Sequence, residues 1–226
     1  MMSNRRYERH RTLVPDEAWS RMAETPVVVA GVGGLGSRVA SDIARLAPLT
    51  IELWDPGVVD EPDLNRQILY TPSSLGCAKC AVAAEALHRI NEELTLHTQR
   101  RRITATTFAA ESHVSSRTGD PPFVLFDCLD TFAARGELEA IRRATRCTVI
   151  HGGVEGWYGQ VTTFTGVGAG YAEAFGPDFE RRPGGAKPIL PTTVAVVAAL
   201  QGNEDIRYWV DGASTPLTGA VGIYDG

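Results

Sequence analysis

The chain has 226 residues, enough to bury a core without disulfide or metal staples, and length favours one domain with at most a short appendage. Apolar residues make up 43% and charged residues 22%, and the net charge is −5, which excludes any global attraction for nucleic acid or anionic lipid. The first residues are arginine-rich with no apolar run before Pro15, and the apolar stretch from Val194 to Leu200 is too short for a bilayer, so neither a secretory signal nor a membrane anchor is expected and the default location is the cytoplasm.

A short helix is predicted after Pro15, through Trp19 and Met22, and then the first strand, Val27 to Ala30. A glycine loop follows directly. Leu35, Val39, Ile43 and Leu46 then recur at helical spacing until Pro48, and a second strand, Ile51 to Trp54, stops at Asp55. Strand, helix and strand in this order predict a parallel sheet. Residues 56–76 read as irregular. A helix is expected over about Ala78 to Ile90 and a strand near Leu94 to His97, and the run Arg100–Arg101–Arg102 is most simply a solvated turn or edge. Further on, the pattern predicts strands at Val124 to Phe126, Thr148 to Ile150 and Val161 to Phe164, a helix over about Ala133 to Arg143, another over Thr192 to Leu200, and a last strand near Val221 to Tyr224. Residues 166–191 show little periodicity, and a loop of that length in a compact domain is usually functional. The expected fold is α/β: a Rossmann-like, mostly parallel or mixed sheet with helices on both faces, preceded by an N-terminal arm over residues 1–25.

Gly31, Gly33, Gly34 and Gly36 punctuate the turn between the first strand and its helix. Glycine permits the tight turn and lets a phosphate approach the helix N-terminus, while a carboxylate ending the next strand, here Asp55, accepts from ribose hydroxyls. On these features alone a dinucleotide-dependent dehydrogenase and an ATP-using enzyme are nearly tied. The polar cluster Asp63-Leu64-Asn65-Arg66-Gln67 breaks the tie. Arg66 offers a planar donor fork for phosphate oxygens, Asn65 and Gln67 can bind a nucleotide or orient that arginine, and Lys79 adds a point charge early in a helix. Two cations near one phosphate loop suit a triphosphate. Asp127 and Asp130 follow a strand end, where a carboxylate together with phosphates can hold Mg²⁺. His151 is read as a structural histidine more readily than as a pocket group.

Cys77 and Cys80 supply two thiols where a structural zinc site needs four ligands, so no structural zinc is expected; Cys128 and Cys147 are read as apolar filling beside strands.

The motifs Arg6-Tyr7-Glu8-Arg9-His10, GVGGLGS at 31–37, Asp55, DLNRQ at 63–67, GCAK at 76–79, RIN at 89–91, DCLDTFAAR at 127–135, GGVEGWYGQV at 152–161 and Ile223-Tyr224-Asp225 stand in order along nearly the whole chain. In this the sequence resembles the E1-like activating enzymes, which include the sulfur-carrier adenylyltransferases. The resemblance implies an E1-like adenylation domain that binds ATP and Mg²⁺ and adenylates the C-terminal carboxylate of a small ubiquitin-like sulfur carrier protein ending in Gly-Gly. By the same resemblance Asp55 binds ribose, Arg66 and Lys79 contact phosphates, Asn65 and Gln67 shape the pocket, and Asp130 holds magnesium. Arg9 would reach into the partner's active site in a homodimer, and the stretch 166–191 would cross over the carrier's tail. The chemistry is coherent: a carboxylate is already deprotonated at neutral pH, so charge neutralisation and alignment matter more than a general base.

The pattern departs from the family at several points. Relatives often carry two CxxC pairs for zinc, whereas Cys77 and Cys80 form a single CxxC here with no second pair, and the segment Arg182 to Pro188 holds no cysteine, so a thiol relay there is not expected. Gly57 replaces a frequent aspartate, Asp63 the usual asparagine, and Thr131 a common asparagine. The alternatives are adenylation of another carboxylate, such as a peptide C-terminus or a nucleoside-linked acid, and a noncatalytic nucleotide-binding scaffold. An NAD-dependent dehydrogenase leaves Arg66, Lys79 and Asp130 without a task.

Overall fold

The computed structural model describes residues 5–47, 49–114, 118, 122–182, 188–212 and 215–226. Pro48, residues 1–4 of the arm and residues 183–187 of the stretch expected to cross the pocket lie outside the described residues. After a short helix α1 (Glu8–Arg11) and helix α2 (Asp16–Glu24), the chain alternates β1 (Val27–Ala30), α3 (Gly34–Ile43), β2 (Thr50–Trp54), α4 (Lys79–Ile90), β3 (Thr95–Gln99), α5 (Ala105–Glu111), β4 (Val124–Asp127), α6 (Phe132–Thr145) and β5 (Thr148–Glu155). It finishes with β6 (Tyr158–Phe164), α7 (Tyr171–Phe175), α8 (Pro191–Val210) and β7 (Gly222–Asp225).

One seven-stranded sheet runs in the order β3-β2-β1-β4-β5-β6-β7. The strands from β3 to β5 are parallel, with Val27 beside both Ile51 and Val124, and β6 and β7 add an antiparallel edge. The period of two along each strand divides the core. Val27 and Val29 face α2, α3, α4 and α8, whereas Val28 and Ala30 face α5, α6 and α7. Strands β1 and β4 are buried throughout, as expected of a sheet covered on both faces. Among the described residues, no helix is long and apolar enough to cross a membrane.

Three elements differ from the sequence reading. Helix α8 has 20 residues rather than ending near Leu200. Its buried face continues through Gln201, Glu204 and Asp205, whose polarity hides the helical period from an apolar count. Strand β5 runs past the expected end at Ile150 through Gly152 and Gly153, which pair with Val161 and Gln160. Helix α5, capped by the Thr104 side chain, was not foreseen at all; it buries mainly Phe108. Within 166–191, α7 and a single 3₁₀ turn at Phe179–Arg181 bury Tyr171 and Phe179 against α6.

The N-terminal segment packs on the same core. Val14, Ala18 and Met22 join the cluster under α8, and Asn91 at the end of α4 donates to the Tyr7 hydroxyl at 2.9 Å.

Candidate functional site

The site forms where the chain leaves β1 toward β2 on one side and leaves β4 toward β5 on the other, the crevice in which open α/β sheets place ligands. A cavity of about 1090 Å³ opens there, at the upper end of the ~300–1,000 Å³ range of small-molecule pockets. Gly31, Gly33 and Gly34 line it, whereas Gly36 does not. Gly31 has φ +86°, and a Cβ there would stand 2.9 Å from the Cys128 carbonyl oxygen. Gly36 is buried in the first turn of α3, and a Cβ there would overlap the Gly31 carbonyl oxygen. Gly36 is therefore a packing glycine that lets α3 start against the turn, and not a ligand-facing one as the sequence reading had it.

Asp55 lines the cavity and ties its floor together. One carboxylate oxygen accepts from Val32 N at 2.8 Å and the other from Gly57 N at 2.7 Å. Each oxygen retains a lone pair for a further donor. A Cβ at Gly57 would come within 2.9 Å of the same carboxylate, which accounts for the small residue there.

Asp63 is the hub of the cation cluster. Its carboxylate meets Lys79 Nζ at 2.9 Å, Arg66 at 3.7 Å and the Gln67 amide at 2.6 Å. Arg66 also donates to Pro62 O and to Asn65 Oδ1, and its stem passes over Gly34. Arg66, Gln67 and Lys79 line the cavity; Asn65 does not, and instead steers the arginine, one of the two tasks open to it from the sequence. Asp130 lines the cavity with its carboxylate exposed and makes no hydrogen bond or ion pair among the described residues. Arg9 is exposed on α1 and does not line the cavity of its own chain.

Other residues fall differently from expectation. Arg102, read as part of a solvated edge, lines the cavity. Asp127, weighed as a magnesium ligand, is fully buried behind it, where Arg135 Nε donates to it at 2.9 Å, the Tyr171 hydroxyl at 2.8 Å and Leu129 N at 3.0 Å. His151 Nδ1 lies 2.6 Å from the same carboxylate, and His151 is buried, in keeping with the structural reading favoured for it. Burial opposes ionisation of Asp127, but Arg135, His151 and the Leu129 N–H outweigh it and hold its pKa at about 2. Cys147 is buried as expected, whereas Cys128 reaches the cavity wall. Gln160 and Arg135, absent from the sequence-derived set, also line the cavity. The one signal for Gln160 was its place in the motif at 152–161.

The match to the ThiF family model covers residues 7–226. The chain belongs to the ThiF family. It is an enzyme of the ThiF/MoeB adenylyltransferase type with an E1-like adenylation fold. Among the curated proteins it is similar to the sulfur carrier protein ThiS adenylyltransferase of Escherichia coli K12, at 27% identity over 91% of this chain and 80% of that protein. It is also similar to the SAMP-activating enzyme E1 of Haloferax volcanii, at 26% identity over 97% of this chain and 80% of that protein. The fold matches the crystal structure of E. coli MccB with ATP, with TM-score 0.78 and 18% identity over 99% of this chain and 71% of that one.

Proposed function

We propose that this ThiF-family chain uses ATP to adenylate the C-terminal carboxylate of a small ubiquitin-like sulfur carrier protein ending in Gly-Gly, in the cytoplasm, as a homodimer. The observation that carries this reading is the convergence of the glycine turn, Asp55, the cations Arg66 and Lys79, and the open carboxylate of Asp130 on one cavity. The carrier's carboxylate oxygen attacks the α-phosphorus, the bond to the bridging oxygen breaks, and pyrophosphate leaves. The turn after β1 takes the phosphates at the N-terminus of α3, and Asp55 takes the ribose. Arg66 and Lys79 stabilise the charge that builds on the leaving pyrophosphate. Asp130 fits a magnesium ion held mainly by phosphates, because it is the one carboxylate of this set without a partner among the described residues. That ion would supply further neutralisation of phosphate charge. Arg9 of the other subunit completes the pocket. No residue is assigned as a general base, since the attacking carboxylate needs none.

The test is pyrophosphate exchange into ATP, which is expected only when Mg²⁺ and an acyl partner are both present. Arg66→Ala and Asp130→Ala are each expected to lower it at least roughly 100-fold, as loss of a transition-state electrostatic contact does. No exchange with any Gly-Gly carrier or carboxy-terminal peptide would sink the reading; near-parental rates in either variant would remove that residue's role.

A further inference from the structure

Behind the cavity runs a chain of polar groups to which adenylation assigns no task. Asp127 is ionised and can only accept, so the proton between it and His151 belongs to His151 Nδ1. Burial, with the charge of Arg135, pushes the His151 pKa down against the pull of Asp127, and the ring is neutral. Its Nε2 is therefore a bare acceptor. Gln160 Nε2 lies 3.2 Å from it, and only an amide nitrogen complements a bare acceptor. The Gln160 amide is held in one of its two orientations, and its carbonyl oxygen and second N–H have no partner among the described residues.

The strand pairing makes this reach possible. Gly153 on β5 is the cross-strand partner of Gln160 on β6, and His151 lies two residues earlier on the same face of β5. A Cβ at Gly153 would stand 2.9 Å from Gln160 Nε2. Gln160 thus leans diagonally over a bare glycine toward His151. Gly153 and Gln160 both line the cavity, on the β5–β6 side and across β4 and β1 from Asp55. In an extended chain the N–H and C=O of one residue point to the same side, and a side-chain amide presenting C=O and N–H is their complement.

We propose that Gln160 binds the main chain of an extended C-terminal tail through the N–H and C=O of one residue, directing the terminal carboxylate toward the glycine turn, with His151 and Gly153 as the residues that position it. The ligand class is an unfolded peptide C-terminus, recognised by its backbone rather than its side chains, whether free or carried by a folded protein. This rests on the adenylation reading for its consequence and on the β5–β6 geometry for its existence.

The test uses the full-length protein. In pyrophosphate exchange with a purified ubiquitin-like carrier ending in Gly-Gly, Gln160→Ala and Gly153→Ala are expected to raise KM for the carrier about 10- to 100-fold while leaving KM for ATP within about twofold, as loss of a pair of ground-state hydrogen bonds does. An unchanged carrier KM in Gln160→Ala overturns the proposal. A second readout stands apart from catalysis. A short synthetic peptide ending in Gly-Gly is expected to shift the ¹⁵N–¹H resonances of the Gln160 side-chain amide. The same peptide N-methylated at its last two residues is expected to lose that shift. If the parent protein shows no exchange, the adenylation reading is at fault, and the Gln160 assignment is judged by the resonance shift alone. An unperturbed amide, or a protonated His151 Nε2 in long-range ¹⁵N spectra, overturns it.

Discussion

Asp205 shows how a single buried side chain acts on stability. It is 1% exposed in α8, and its one described hydrogen-bond donor is the Trp209 indole at 3.3 Å. Burial pushes its pKa up to about 7 against the small opposing effect of that hydrogen bond. In the unfolded chain the group titrates near ~3.9. Between these values the folded protein holds a proton that the unfolded chain has released, so stability falls as pH rises from about 4 to about 7 and stays at the lower level above. Asp205→Asn keeps an acceptor for the indole and removes the titration. The variant is expected to be more stable than the parent by about 1–3 kcal/mol at pH 8 and no more stable at pH 4, measured by urea unfolding. An equal difference at both pH values would refute the protonated carboxyl. The same scale explains Asp63. With asparagine there, Lys79 and Arg66 would lack a carboxylate between them; with Asp63, the cluster is partly neutralised and both cations are held near the cavity without a phosphate.

At the scale of elements, the turn from β1 into α3 depends on the absence of a side chain at Gly36 more than at any other position in the turn. A methyl group there would overlap the Gly31 carbonyl oxygen and also meet Val29. Gly36→Ala is expected to cost about 1–3 kcal/mol in urea unfolding, the usual range for overpacking, and to weaken nucleotide binding because α3 must move away from the turn. A variant as stable as the parent with unchanged ATP affinity would show that the helix has room to shift. This turn was legible in the sequence because its signals are local: a β-branched strand, glycines, then apolar residues at helical spacing. The second half of α8 was not. Gln201 donates to the carbonyls of Asp127 and Ile150, Glu204 accepts from Thr163 and Thr215, and each of these partners lies in another element or loop. Their burial becomes visible only once those distant groups are in place.

For the whole molecule, the cavity draws on both ends of the sheet, from Arg102 after β3 to Ile223 on β7. Arg9 stands outside the cavity of its own chain, which fits the proposal that it serves the other subunit. Mixing Arg9→Ala with Asp130→Ala is then expected to recover part of the exchange activity, up to about a quarter of parental in a random dimer population, since one mixed pocket carries neither change. No recovery, or a monomer by sedimentation, would remove the contribution in trans.

The sequence alone determined the α/β alternation, the glycine turn after the first strand and the charged set of Asp55, Arg66, Lys79 and Asp130, because these are matters of residue type and short-range period. Of the glycines in that turn, only the tertiary structure separated Gly31, Gly33 and Gly34, which line the cavity, from Gly36, which packs. It also sent Asp127 and His151 into a buried network, paired Lys79 with Asp63, and brought Gln160 across Gly153 to the cavity wall. The reason is that a side chain's burial, partner and protonation are set by strands and helices far away in sequence. A local pattern names the functional group but not the neighbours that decide what it does.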